Sequence, residues 1–98
     1  MLSSKQRVYL SKMATKLDPV VLVGKDGTSG GVPDALDREL ESRELVKIRF
    51  VASKDERFDL AGELAEKCKA ELIRVIGNTA VFFRQSQDPE KRNIVLPS

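Results

Sequence analysis

The spacing of hydrophobic residues along the chain predicts three helices and four strands. In three stretches apolar residues recur every three or four positions, which is the spacing of one buried helix face. Shorter runs are either continuously apolar or alternate with polar residues, as strands do. In chain order the predicted elements are a helix over 4–17 capped by Ser3 or Ser4, a strand over 20–23, a helix from Val32 through Leu40, a strand over 45–51, a helix that begins at 53–56, and strands over 72–76 and 79–84.

The strands are expected to differ in burial. Residues 20–23 are apolar at every position, which predicts a strand buried on both faces. The strand over 45–51 alternates, so its even-numbered residues should face a core while Lys47 and Arg49 lie on a half-exposed face. Gly77-Asn78 suits the positive φ angles of a tight hairpin, so the last two strands should pair antiparallel.

The third helix carries a start signal and two distinct faces. Ser53 and Glu56 have the spacing of a capping box. One apolar stripe predicts which side chains of this helix point inward, from Phe58 at its start to Cys68 at its end. Its members are Phe58, Ala61, Leu64, Ala65 and Cys68. Four carboxylates are expected on the opposite, solvated side: Asp55, Asp59, Glu63 and Glu66.

The predicted order of elements is α-β-α-β-α-β-β. A strand, a helix and a strand at short spacing imply a right-handed crossover between parallel neighbours, and the final hairpin adds an antiparallel pair. We therefore expect an α/β fold, a two-layer sandwich on a four-stranded mixed sheet, formed as one domain over 1–98. The polar segment after 84 ends in a short apolar run, which fits either an edge strand or a loose tail.

Composition lowers the expectation of catalysis. The 98 residues include no histidine and a single cysteine, Cys68, so the commonest general base and a zinc cluster are both absent. Cys68 is expected to be a buried structural thiol. We predict no catalytic residue, metal, cofactor or small-molecule substrate. Without a long apolar segment or a secretory signal, we expect a cytoplasmic protein with no membrane partner.

A glycine-rich loop follows the first strand and leads into the second helix. Gly24, Lys25, Asp26 and Gly27 form a GxxG sequence, where backbone N–H groups and the positive end of the helix dipole favour a phosphate. The loop lacks both the P-loop ending and the dinucleotide spacing GxGxxG, which disfavours a nucleotide site. A plain strand-to-helix turn explains the glycines about equally well.

Basic residues recur on several predicted surfaces. Lys5, Lys12 and Lys16 project from nearly the same side of the first helix, although most such rows are simply solvated. On the last hairpin, Arg84 shares a face with Phe82, an arrangement that suits RNA unless Phe82 belongs to the core. In the predicted register of this hairpin, Ile76 lies opposite Thr79 and Arg74 lies opposite Val81. Arg74 is therefore expected on the other face of the sheet from Arg84. The basic residues that we expect to bind RNA are Lys5, Lys12, Lys16, Lys47, Arg49 and Arg84.

Three segments together resemble the signature blocks of the CRM domain, named for chloroplast RNA splicing and ribosome maturation. They cover 19–27, 43–48 and 75–84. The spacing is similar to that of the bacterial stand-alone YhbY-like members over residues 2–97. The resemblance implies a sandwich like the C-terminal domain of translation initiation factor three, with RNA binding through the GxxG loop and neighbouring basic residues.

The same resemblance implies a role in ribosome biogenesis, with large-subunit ribosomal RNA or its precursor particles as the partner. Two other functions stay open from the residues alone. One is a protein-interaction adaptor whose basic face meets an acidic partner, and the other is a small nucleotide-binding module.

Overall fold

The computed structural model describes residues 2–51 and 54–98 and confirms the predicted order of helices and strands. The helices are α1 (Ser4–Ala14), α2 (Val32–Arg43) and α3 (Arg57–Cys68). The strands are β1 (Val21–Val23), β2 (Leu45–Phe50), β3 (Glu71–Ile76) and β4 (Thr79–Phe83). A 3-10 turn over Lys54–Glu56 precedes α3, and a second one over Pro89–Lys91 follows β4.

The four strands form one mixed sheet in the order β1-β2-β4-β3. β1 and β2 are parallel and joined through α2, whereas β4 runs antiparallel to both of its neighbours. Gly77 adopts φ 53° in the hairpin turn, and Ile76 pairs with Thr79 as predicted. Arg74 pairs with Val81, also as predicted, although the register shifts between Leu72 and Arg74.

Helices cover both faces of this sheet. α2 and α3 enclose the main core, whereas α1 packs against β2, β3 and β4 from the other side. The α/β class and the four-stranded sheet are confirmed, and α1 adds a third layer to the two that were expected. Along β4 the side chains alternate between the two cores: Ala80 and Phe82 lie under α2 and α3, and Val81 and Phe83 lie under α1.

β1 is not buried on both faces, so that prediction was wrong. Val21 and Val23 belong to the main core, but the side chain of Leu22 between them is 59% exposed. The physical reason is position: β1 is an edge strand, and α1 packs over the other three strands. An unbroken apolar run therefore leaves two large side chains in solvent, those of Leu22 and of Val20, which is 40% exposed.

The start of α3 also differs from the prediction. Ser53 of the predicted capping box lies outside the described residues, and α3 begins at Arg57 without a side-chain cap. Phe58 is 60% exposed, which corrects the expectation that it points inward. It sits in the first turn, with its ring centroid 5.0 Å from the Arg57 guanidinium carbon. Cys68 is buried as expected.

The segment after β4 is neither a strand nor a loose tail. The buried carboxylate of Glu44 accepts hydrogen bonds from the backbone N–H groups of Ser86 and Asn93, both at 2.8 Å. The Glu41 carboxylate accepts from the Ser86 hydroxyl at 2.8 Å. Ile94 and Leu96 then pack against the core beneath α1. Two glutamates around the end of α2 thus hold the C-terminal segment against the fold.

Candidate nucleic-acid interface

The GxxG loop is a tight turn with an exposed tip. The Gly27 N–H donates to the Gly24 carbonyl at 3.0 Å, and Gly27 has φ 61°. Lys25 and Asp26 lie between them, and the Lys25 side chain is exposed. The backbone N–H and hydroxyl of Ser29 both donate to the Asp26 carbonyl, at 3.1 and 2.6 Å. The turn therefore presents Lys25 to solvent on a short, hydrogen-bonded backbone.

Contacts with α3 fix the base of this loop. A Cβ at Gly27 would lie 3.3 Å from Leu60 Cδ2, so the glycine allows the loop to pack closely on α3. The buried Thr28 hydroxyl donates to the Glu63 carboxylate, and Lys67 Nζ lies 3.2 Å from Glu63 Oε2. These two partners, Thr28 first, lower the pKa of Glu63. Glu63 was expected on a merely solvated face, and only the packing of the loop reveals its contact.

The loop leads directly to the N-terminus of α2, where Gly31 is the capping residue and provides no side-chain hydrogen bond. Pro33 lies in the first turn, as predicted. Because no side chain caps this end, backbone N–H groups and the positive end of the helix dipole face the loop side. The carboxylate of Asp34 in the same turn offsets part of that potential.

Two of the three lysines at the N-terminal end of the chain lie on the first helix as predicted, and the third lies beyond its end. Lys5 and Lys12 lie on α1 and are exposed, with Leu10 and Ala14 buried on its other side. Because α1 ends at Ala14, Lys16 lies in the turn that follows. There it borders a surface pocket shared with Lys47.

On the sheet, Lys47 and Arg49 lie on the α1 side, opposite the main core. The pairing of β2 with β4 and of β4 with β3 places Lys47, Val81 and Arg74 in one cross-strand row. Lys47 and Arg74 also line the same pocket of about 270 Å³ beside the end of α1. Arg74 was not among the residues expected to bind RNA, but the structure places it one strand away from Lys47, in the same row and at the same pocket.

Arg84 is on the other side of the sheet and does not join these cations. Its guanidinium donates to Asp37 Oδ1 at 2.6 Å and to the Cys68 carbonyl at 2.7 Å, with its side chain only 17% exposed. Phe82, which shares its face, is fully buried in the main core. Phe82 is therefore a core residue and has no surface on which a base could stack.

Charge is segregated between the two sides of the sheet. Among the residues that the structure describes, seven cations lie on the α1 side or in the loop and form no ion pair: Lys5, Lys12, Lys16, Lys25, Lys47, Arg49 and Arg74. The carboxylates of α2 and α3, in contrast, line the opposite side and engage Arg43, Lys67 and Arg84. An approaching polyanion is attracted to the α1 side and repelled from the other.

Among the described residues we find no cluster of metal ligands, and the cysteine is buried. Within 2–51 and 54–98, no group of three or more aspartate, glutamate or cysteine side chains is placed to hold a metal ion. Burial raises the pKa of the Cys68 thiol, whose Sγ donates to the Pro33 carbonyl at 3.4 Å. A protonated, buried thiol is a poor nucleophile. Across the same ranges, no helix combines the length and apolar character needed to cross a membrane.

Comparisons with known proteins agree with this geometry. The chain is 33% identical over 98 residues to "Probable RNA-binding protein YqeI" of Bacillus subtilis, covering 99% of this chain and 100% of that protein. It is 31% identical over 91 residues to "Probable RNA-binding protein PA4753" of Pseudomonas aeruginosa, with 92% and 88% covered. The solution structure of the hypothetical protein SAV1595 from Staphylococcus aureus matches with a TM-score of 0.81 at 35% identity, over 99% of this chain and 100% of that one.

The strongest family evidence covers both the glycine-rich loop and the sheet. The sequence model of the CRS1/YhbY (CRM) domain matches residues 2–84, which include every strand and all three helices described above. The chain therefore belongs to the CRS1/YhbY (CRM) domain family.

Proposed function

We propose that this protein binds RNA and acts as a binding protein rather than an enzyme. The observation that carries the proposal is the set of seven cations, six on the α1 side and Lys25 in the GxxG loop, that form no ion pair with a described carboxylate. Such a surface gains free energy from phosphate contacts and from the release of condensed counterions. The names of the relatives in Bacillus subtilis and Pseudomonas aeruginosa support the same choice of partner.

We propose that the GxxG loop and the basic residues of the α1 side both bind phosphates of the RNA. Since β1 and β2 are parallel, the loop after Val23 and the residue Val51 leave the sheet at the same end. The Gly77-Asn78 turn lies there too, because the Phe50 N–H donates to the Asn78 carbonyl at 2.7 Å. Loop N–H groups and Lys25 would approach one phosphate while cations on the α1 side hold the neighbouring backbone. Contacts of this kind position the protein without reading sequence.

The proposed RNA-binding set keeps the residues expected from the sequence, with one change of role. The expected cations that lie on the α1 side are Lys5, Lys12, Lys16, Lys47 and Arg49. Arg84 is given a structural role instead, since its Nη1 already donates to Asp37 Oδ1 and the Cys68 carbonyl, and its Nη2 donates to the Asp37 carbonyl. Arg74 takes the place that Arg84 had in the prediction.

The finer proposal concerns which RNA is bound. The resemblance to proteins of ribosome maturation supports large-subunit ribosomal RNA, or precursor particles that contain it, in the cytoplasm. Ultraviolet crosslinking in cells followed by sequencing of the attached RNA tests this directly. Enrichment of large-subunit ribosomal RNA over transfer and messenger RNA is the expected result, and a profile that follows RNA abundance would contradict it.

RNA binding itself is tested by measuring the dissociation constant for a folded RNA at several salt concentrations. Each phosphate contact should add about 0.7–0.9 to the steepness of the log-log salt dependence. Excess free nucleotide should not compete, whereas it would for a nucleotide-binding module. An adaptor for acidic proteins would bind a polyglutamate peptide as well as it binds RNA, and that outcome would overturn the proposal.

A further inference from the structure

The exposed sheet on the α1 side carries large apolar side chains that phosphate binding does not explain. Leu22 is 59% exposed on β1 and Ile76 is 49% exposed on β3. Single exposed apolar residues are ordinary. These two, however, belong to one cross-strand row, in which Leu22 pairs with Arg49, Arg49 with Thr79, and Thr79 with Ile76. We call these four residues the sheet row.

All four members of the sheet row face the same side. Their neighbours along each strand belong to the main core: Val21 and Val23, Ile48 and Phe50, Ala80, and Val75. Because side chains alternate along a strand, the row itself points away from that core. Adjacent strands lie about 4.8 Å apart, so the row spans about 14 Å from Leu22 to Ile76.

Cations flank this row. Lys47 and Arg74 lie in the neighbouring cross-strand row, on the side towards α1. The pocket of about 270 Å³ beside α1 joins the two rows, because Ile76 and Thr79 line it together with Lys47 and Arg74. Ser11 and Thr15 add hydroxyl groups from α1 and its C-terminal cap to the same pocket. The surface thus combines apolar contact area, planar guanidinium groups and unpaired positive charge.

We infer that the sheet row and the adjoining pocket bind unpaired bases, so that the protein prefers single-stranded segments over duplex RNA. This inference rests on the proposed function and specifies its substrate. A duplex stacks its bases inside and presents phosphates and 2′-hydroxyls, which gain little from Leu22 or Ile76. Unstacked bases expose flat apolar faces that pack on aliphatic side chains and stack on arginine guanidinium planes. Charge complementarity with Lys47, Arg49 and Arg74 selects a polyanion over a neutral apolar partner.

The test uses two probes made from one strand: an unstructured single-stranded RNA oligonucleotide, and the same strand annealed to its complement. The first variant is Leu22→Thr with Ile76→Thr, which removes apolar contact area while keeping strand propensity and net charge. Affinity for the single strand should fall about tenfold, as expected when about one base is no longer held. Affinity for the duplex and the salt slope should not change, because no cation is removed.

The matched control is Phe58→Thr with Val95→Thr, which alters two exposed apolar side chains outside both the sheet row and the lysine-bearing face of α1, 60% and 83% exposed. It should bind both probes as the unaltered protein does. A second variant, Arg49→Lys, keeps the charge but removes the guanidinium plane, and should weaken single-strand binding by roughly threefold or more. Circular dichroism confirms folding in each case.

The outcomes separate this inference from the proposed function. If the unaltered protein binds neither probe in a salt-dependent way, the proposed RNA binding itself fails. If it binds both probes equally, or if the Leu22/Ile76 variant keeps its single-strand affinity or loses both affinities alike, RNA binding stands and the sheet row is not a base-binding surface. A single-strand preference that the variant abolishes supports the inference.

Discussion

Arg84 Nη1 donates to Asp37 Oδ1 over 2.6 Å and thereby ties the end of β4 to α2. The same nitrogen donates to the Cys68 carbonyl at the end of α3. One guanidinium therefore joins three elements on the side of the sheet that carries the carboxylates. This geometry leads to the first prediction, which concerns stability rather than binding.

Replacing Arg84 by methionine should lower the free energy of unfolding by about 1–3 kcal/mol, because Asp37 and the Cys68 carbonyl lose a largely buried donor. RNA affinity of the folded variant should stay unchanged. Urea unfolding and RNA titration measure the two effects. Arg38→Met, on the exposed surface of α2, is the matched control and should change neither. A stable Arg84→Met protein with weakened RNA binding would restore Arg84 to the interface.

The lysines at the start of the chain provide a second prediction. Changing Lys5, Lys12 and Lys16 together to alanine should weaken binding to all RNA sequences, since these residues are proposed to contact phosphates. The log-log salt slope should become shallower by about 0.7–0.9 for each phosphate that the variant no longer binds.

The control for this variant removes the same charge elsewhere, by Arg38→Ala, Lys69→Asn and Lys91→Ala, with asparagine at 69 because that residue has a left-handed φ of 53°. A general reduction of net charge affects both triple variants equally, whereas a local phosphate site affects only the first. Equal slopes in the two proteins would show that Lys5, Lys12 and Lys16 are merely solvated.

The third prediction concerns the GxxG loop. Gly27→Asp places a carboxylate at the base of the turn and should weaken RNA binding more than Gly27→Asn, which has nearly the same shape and no charge. Both share the strain at φ 61° and the close contact with Leu60, at a cost of about 1 kcal/mol. The double change of Lys25 and Asp26 to alanine should weaken binding modestly. Equal affinities for the Gly27→Asp and Gly27→Asn variants, measured on folded material, would show that no phosphate approaches the loop.

The fourth prediction is a pH dependence of stability. The Ser86 hydroxyl is the main cause that lowers the pKa of Glu41, with the Gln87 and Asp88 N–H groups adding to it. Because the folded-state pKa lies below the ordinary 4.5, the stabilisation is complete above about pH 4.5 and is lost as the pH falls through the folded value. The Glu41→Gln protein should therefore be less stable than the parent at pH 7, with a difference that shrinks in acid.

Urea midpoints from about pH 7 down to about pH 3 measure this difference across the titration of the carboxylate. Glu39→Gln, which alters another α2 carboxylate whose partner is the neighbouring Arg43, is the comparison variant. A gap between parent and Glu41→Gln that stays constant over the whole range would rule out the carboxylate as its source.

Local signals in the sequence determined much of the fold. Gly77-Asn78 fixed the hairpin, and the two-residue turn then fixed the pairing of Ile76 with Thr79. Such features depend on a few adjacent residues, whose conformational preferences act whatever the rest of the chain does. The exposure of Lys5 and Lys12 followed in the same way from helical periodicity.

The arrangement of the interface depended on contacts between distant segments. Arg74 shares a cross-strand row with Lys47 because Val81 of β4 pairs with both, and the sequence of either outer strand alone does not specify that arrangement. Leu22 is exposed because β1 is at an edge and α1 packs over the other strands. Glu63 holds the glycine loop only because α3 folds back against it. The conformational preferences of neighbouring residues and the spacing of hydrophobic residues determine each helix and strand. Which side chains remain exposed to a partner depends on how those elements pack together, because burial is a property of the assembled layers.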